Sequence, residues 1–163
     1  MSDIPIEKRF KALVEITRAQ HFAWREAVKQ LFPEARTEDV VYRMWEVTGR
    51  ETAQAYLKRL DRARPLAPQV AAAIVWSSVS MGEDAHLEES AGGREAFVRH
   101  DGCPWFAWHK RLGLLAEDRP GCDRWFEAMV AELNEKLEAK LRFETLAALP
   151  DGADVCRRRF WEE

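Results

Sequence analysis

Residues 141–161 read LRFETLAALPDGADVCRRRFW, and this stretch decides the fold. LRFET alternates in polarity, Pro150-Asp151-Gly152 supplies turn chemistry, and DVCRRRFW alternates again. Period-two alternation on both sides of a turn is the pattern of an antiparallel hairpin with one buried face. On its second arm Cys156, Arg158 and Phe160 share one face, and Arg157 and Arg159 share the other. Upstream, Cys122, Phe126, Met129, Leu133 and Leu137 form the apolar stripe of a long helix, preceded by an expected loop, EDRPGC. Cys103-Pro104-Trp105 opens a short helix, with proline suited to the first helical position. HLEES and EAFVRH flank Gly92-Gly93 as the arms of a second hairpin.

The N-terminal half has helical period instead. Phe10, Val14, Thr17, His21, Trp24, Val28 and Leu31 recur every three or four residues up to Pro33. Thr37 is placed to cap a second helix, with Glu38 and Asp39 in its first turn. The inner face of that helix carries Val41, Met44, Trp45, Thr48, Thr52, Ala55 and Tyr56. RARPLAP breaks it, and the nearly uncharged run from Gln69 to Met81 reads as a buried helix. Helices first and strands later predict an α+β fold: N-terminal helices packed with an antiparallel sheet and a long helix in the C-terminal half. One domain, residues 1–163, is expected, with a helical half (1–81) and a mixed half (82–163) that carries the chemistry.

Composition narrows the function classes. The 163 residues include 25 basic and 28 acidic side chains, a net charge of −3, which gives no drive towards nucleic acid. A hydrophobic fraction of 47% argues against disorder. No apolar run approaches the ~18 residues of a membrane span, and MSDIPIEKRF does not resemble a secretory signal, so a cytoplasmic protein without membrane partners is expected. Three cysteines, an odd number, argue against a disulfide framework. Seven tryptophans against two tyrosines supply wide apolar faces, for a core or for a ligand pocket. Trp24 and Trp45 fall on inner helical faces, whereas Trp105, Trp108, Trp125 and Trp161 lie near the cysteines. The expected partner is a small molecule, and the chain is a candidate homo-oligomer.

Nucleotide-binding and metalloprotease fingerprints and the nucleophile elbow are absent. The reactive residue types gather in the second half: His100, Cys103, His109, Cys122, Asp123 and Cys156. Cys103 at a helix N-cap would have its thiolate favoured by free N–H groups, with His100 as base. Cys122 would gain the same help at the next helix start, with Asp123 beside it to orient a base or accept a proton. The bland alternatives are small buried cysteines at helix starts and an ordinary first-turn acid. Cys103, Cys122, Cys156 and His100 also make a Cys3His zinc set, although no close cysteine pair is present to preorganise it. Arg157, with Arg142 on the paired strand, could receive a carboxylate, or the arginine run is simply a solvated face. Trp76, Trp105, Trp125 and His109 are the candidate pocket walls, Glu83 is a candidate pocket acid, and His21 reads as a core histidine.

The order Cys103-Pro104, Leu112-Gly113, Cys122-Asp123, Thr145, Gly152 and Cys156-Arg157 through Phe160 resembles the L-2-amino-thiazoline-4-carboxylic acid hydrolase family, which includes bacterial enzymes that open a small sulfur–nitrogen heterocycle. The resemblance spans about residues 95–161 and implies an α+β domain that hydrolyses a non-peptide C–N or C–S bond, with Cys103, Cys122, Asp123 and Cys156 at matching positions. The aromatic excess suits a flat or larger substrate than the thiazoline. The final strand, with a cysteine after a glycine turn, is also similar to the 4-vinyl-reductase type of small-molecule-binding domain, which implies a sensor. Three readings therefore stand at this point: hydrolase, ligand-binding domain and metal-binding protein.

Overall fold

A computed structural model describes residues 4–89 and 93–163. Three helices come first, α1 (Ile6–Leu31), α2 (Thr37–Leu57) and α3 (Leu66–Ser80). Strands β1 (Asp84–Glu89) and β2 (Glu95–Gly102) follow, then helices α4 (Pro104–Leu112) and α5 (Leu115–Leu137), and finally β3 (Leu141–Ala147) and β4 (Cys156–Glu162). This is the expected α+β fold. The chain divides into two compact units, residues 1–41 and 42–163.

In the first unit α1 stops at Leu31, ahead of Pro33 as its chemistry requires. Its buried residues are Val14, Arg18, Phe22 and Arg25. Trp24, expected in the core, is 41% exposed, and Phe10 and Leu31 are exposed as well. The helix carries apolar residues around much of its circumference, so periodicity alone does not say which arc turns inward. Thr37 begins α2 as its first helical residue, with Glu38 and Asp39 in the first turn.

In the second unit the four strands form one antiparallel sheet in the order β1-β2-β4-β3. Both hairpins form as the alternation predicts, β1 with β2 and β3 with β4, and β2 pairs with β4 to join them. Of the Gly92-Gly93 turn, Gly92 lies outside the described residues. Gly152 closes the other turn at φ 89°, a conformation that costs glycine little. Along β4 the side chains of Cys156, Arg158 and Phe160 are buried. They match Ala96, Val98 and His100, the buried positions of β2. This inner face packs under α3 and α5. The core is built from Val70, Ala71 and Ile74 of α3, Val98 and Phe160 of the sheet, and Phe126, Met129 and Leu133 of α5, with Ala53 and Tyr56 of α2. The α2 position turned inward is thus Ala53, not Ala55, which is exposed.

The expected EDRPGC loop does not form. Residues 117–122 lie inside α5, which starts at Leu115 and runs through Pro120. Glu117 and Asp118 complement the positive end of the helix dipole, and one missing N–H at Pro120 does not stop it. Gly121 serves packing rather than turning, because a Cβ there would lie 2.9 Å from Cδ1 of Trp45. Gly49 of α2 makes the reciprocal approach, since its Cβ would meet the Trp125 carbonyl oxygen at 2.4 Å. Two glycines therefore set how closely α2 and α5 cross.

Candidate functional site

The sheet's inner face carries polar groups at the end where β2 runs into α4 and β4 begins. His100 lies directly opposite Cys156 in the β2–β4 register, one inward step from the Val98–Arg158 pair. Its Nε2 lies 3.0 Å from the Ser78 hydroxyl and 3.1 Å from Glu83 Oε2. The other Glu83 oxygen accepts the Trp105 indole N–H at 3.1 Å. Glu83, just beyond α3, thus ties the final strand residues of β2 to the first turn of α4. Both partners of His100 sit on one ring nitrogen, so this is not a serine–histidine–acid relay, which needs them on opposite nitrogens. Nδ1 is buried and has no hydrogen-bond partner.

Cys103 is the N-cap of α4 and Pro104 follows it, as the sequence predicts. The expected activation does not follow from that position. Desolvation pushes the thiol pKa well above its ordinary value and the Glu83 charge adds to this, while the Phe106 backbone N–H opposes them only in part. Cys122 is not at a helix start at all, since α5 begins seven residues earlier, and the dipole argument fails there. Burial pushes its thiol up to about 12 despite the Arg158 charge. Cys156 is buried, and its sulfur accepts the Leu149 N–H at 3.3 Å. All three cysteines are free. Among the described residues no group of three or more His, Cys, Asp or Glu is arranged to hold a metal ion, so Cys103, Cys122, Cys156 and His100 do not fit the zinc set.

Arg158 is the residue around which the site is arranged. Its side chain is 3% exposed, and one terminal nitrogen donates to Cys122 Sγ at 3.2 Å. Its guanidinium lies over the Phe126 ring, 4.4 Å from the centroid. Asp123 Oδ1 is 3.9 Å away, and Nε is buried with no hydrogen-bond partner. All three thiols and Asp123 lie close enough to act on its charge. Asp123 itself accepts from Arg119 Nε at 2.6 Å and from the Thr145 hydroxyl at 3.0 Å. Arg119 also pairs with Asp151. Asp123, Arg119, Pro120, Arg124 and Glu127 line an open cleft of about 390 Å³, so Asp123 stands between solvent and the buried guanidinium.

The remaining expected site residues are placed elsewhere or held structurally. Arg157 is on the outer face, where Glu88 binds it at 2.8 Å and its guanidinium covers Phe97; it is not a free carboxylate receptor. Arg142 pairs with Glu163 and Arg159 with Glu95 and Glu144, so the outer face is a ladder of ion pairs. His109 is buried, with Nδ1 2.9 Å from the Trp105 carbonyl and 3.3 Å from Asp118 Oδ2, joining α4 to α5. The tryptophans do not make one stacking pocket. Trp105 meets Trp45 edge-on and Trp125 meets Phe126 edge-on. Trp76 is 54% exposed beneath Arg59, Trp108 lies under Arg111 and Trp161 under Arg159. Sequence reasoning missed Arg158, although an arginine on the apolar face of a strand is itself a signal. It also missed Ser78 and Asp118, for which no motif exists.

No helix among the described residues is long and apolar enough to cross a membrane. Two solved structures share the fold. Trafficking protein particle complex subunit 3 from Naegleria fowleri, covalently bound to palmitic acid, has a TM-score of 0.57 at 12% identity, with 94% of this chain and 96% of that one covered. The phenol-responsive sensory domain of the transcription activator PoxR, with phenol, has a TM-score of 0.55 at 12% identity, with 90% and 74% covered. No curated protein sequence matches. The family model for L-2-amino-thiazoline-4-carboxylic acid hydrolase matches residues 13–160, nearly the whole fold including every residue of the Arg158 cluster, and the chain belongs to that family.

Proposed function

We propose that the chain hydrolyses a non-peptide C–N or C–S bond in a small cyclic substrate that carries a carboxylate. The observation that carries this reading is Arg158: a buried guanidinium, among thiols, with one N–H unpartnered. A buried cation with incomplete hydrogen bonding is a receptor for an oxyanion, and arginine accepts carboxylates in a fork. His100 supplies the base. With its Nε2 engaged by Glu83 and Ser78, the tautomer that keeps a lone pair on Nδ1 lets that nitrogen take a proton from the attacking group. The proton then returns to the departing nitrogen or sulfur. Cys156, opposite His100, attacks the ring carbon: its proton passes through His100 to the departing nitrogen or sulfur as that bond breaks, and a water deprotonated by the same histidine then cleaves the carbon–Sγ bond and returns the thiol. Asp123, between the cleft and Arg158, orients the guanidinium.

The test is turnover of L-2-amino-thiazoline-4-carboxylic acid and related cyclic amidine carboxylates, followed as loss of substrate, with a new thiol marking C–S cleavage and a new amine marking C–N cleavage. Activity that is lost in both Arg158→Met and His100→Gln, with folding retained, supports the reading. A second reading, a non-catalytic small-molecule-binding domain, is favoured by the raised thiols and by fold relatives solved with phenol and with palmitic acid. Saturable change in tryptophan fluorescence without any product over long incubation would replace the first reading with the second.

A further inference from the structure

Asp118 of α5 is buried (8% exposed) and has no part in the hydrolysis just described. Its Oδ2 lies 3.3 Å from His109 Nδ1, and that nitrogen lies 2.9 Å from the Trp105 carbonyl oxygen. A carbonyl only accepts, so Nδ1 carries its hydrogen towards Trp105 whether the ring is neutral or charged. Among the described residues, Asp118 Oδ2 is left as the one buried carboxylate oxygen without a hydrogen bond. The neighbouring acids are committed: Glu83 to His100 and Trp105, and Asp123 to Arg119 and Thr145. Cys122, four residues on, shares the Asp118 face of α5, about 5–6 Å away between Cβ atoms. Its Sγ takes the Arg158 N–H at 3.2 Å. The Asp118 charge acts on the thiols of both Cys103 and Cys122. An unmet acceptor on Asp118 and an unmet donor, Arg158 Nε, thus flank one thiol. His109, Trp105, Cys103, Cys122 and Arg158 all belong, with Asp118, to the unit of residues 42–163.

We propose that Asp118 binds the cationic end of the substrate, an amidinium or guanidinium whose N–H groups it accepts, while Arg158 holds the carboxylate. The assignment rests on the reading of Arg158 given above and adds a pole of opposite sign. A buried acceptor left unmet is destabilising, so the site gains most from a ligand that brings a donor to it. A charged N–H meets a carboxylate more strongly than a neutral one, and an amidinium presents two in a plane that matches it. A ligand without that group leaves Oδ2 unmet and is rejected for it. The separation of the two poles, about one helical turn, is the span of one small ring. Two poles of opposite sign also fix which way round such a ring lies, which a single carboxylate clamp does not.

Fragment binding separates the two poles without turnover. The probe 2-amino-thiazoline carries the cation and no carboxylate, and tetrahydrofuran-2-carboxylate carries the carboxylate and no cation. Each is titrated into the full chain at pH 7 and followed by the tryptophan indole resonances. Asp118→Asn keeps the side-chain shape and is expected to raise the dissociation constant of 2-amino-thiazoline at least tenfold, with that of the carboxylate changed less than twofold. Arg158→Met is expected to do the reverse. Glu135→Gln, on the same helix and 71% exposed, is expected to change neither. In the wild type, nuclear Overhauser effects should join the thiazoline ring protons to Asp118, a readout that needs no variant to fold. No binding of 2-amino-thiazoline to the wild type, equal binding by Asp118→Asn, or contacts that bypass Asp118 would each overturn the proposal. Carboxylate binding indifferent to Arg158→Met, beside amidine binding that needs Asp118, would support Asp118 and remove the reading of Arg158 instead.

Discussion

Replacing Arg158 by methionine should leave the protein as stable as before, or more stable, while removing its function. The wild-type side chain gains a bond to Cys122 Sγ at 3.2 Å and a place over the Phe126 ring. Those interactions contribute about 1 kcal/mol and about 2 kcal/mol respectively. Against them stands the burial of a full charge with Nε unpartnered and the carboxylate of Asp123 3.9 Å away. The effective cost of burying such an ion is several kcal/mol, which is why apolar replacements of buried ionic groups are often neutral or stabilising by roughly 1–4 kcal/mol. Methionine keeps most of the length and lies against the same ring. Asp123 is not orphaned, because Arg119 and Thr145 still hold it. The expected change is therefore between zero and about 2 kcal/mol of added stability, a rise in Tm of up to about 8 °C for a chain of this size. Urea and thermal unfolding at pH 7, read by tryptophan fluorescence, measure it, alongside turnover of the thiazoline carboxylate. A loss of more than about 3 kcal/mol would show that the guanidinium is a structural tie. Full turnover in the variant would refute its role as the anion receptor.

Three further outcomes follow from the same geometry. Gly49→Ala drives a Cβ to 2.4 Å from a backbone oxygen that no side-chain rotation can move, so despite alanine's better helix propensity it should cost about 1–3 kcal/mol in urea unfolding. Glu83→Ala strips the Trp105 N–H and His100 Nε2 of their shared acceptor and should cost roughly 1–3 kcal/mol; an unchanged midpoint would show that the bridge contributes nothing. Because burial raises the Cys122 thiol from 9.0 to about 12, the unfolded chain loses that proton first as pH rises. The contribution is then complete below pH 9 and declines towards pH 12, by roughly 1 kcal/mol per pH unit. Cys122→Ala should flatten that decline, and an identical slope in the variant would contradict it.

The hairpins were legible because alternation and turn chemistry are local: LRFET and DVCRRRFW must pair if their apolar sides are to be buried, and Pro150-Asp151-Gly152 permits the turn. The same locality produced the errors. Pro120-Gly121 reads as a break, but Gly121 answers to the indole of Trp45, which is distant in sequence and invisible to any window. Cys122 reads as a helix start for the same reason, and because α5 runs through the break the dipole assistance is lost. Trp24 falls on the apolar stripe of its helix and is nevertheless 41% exposed, because periodicity places a residue on a face and does not cover that face.

The sequence by itself determined the α+β class, both hairpins, the N-cap position of Cys103 and the side of β4 on which Cys156 and Arg158 lie, since these depend on neighbours within a few residues. Only the tertiary structure decided that Arg158 rather than Arg157 is the buried cation of the site. The register of β2 against β4 and the cover of α5 place one arginine beneath Phe126 and Cys122, while the other meets Glu88 on the outer face. Alternation puts Arg158 on the side of Cys156 and Phe160, but it does not say that this side is covered at Arg158 or by which groups. Burial decides that, and burial is a property of the assembled sheet and helices.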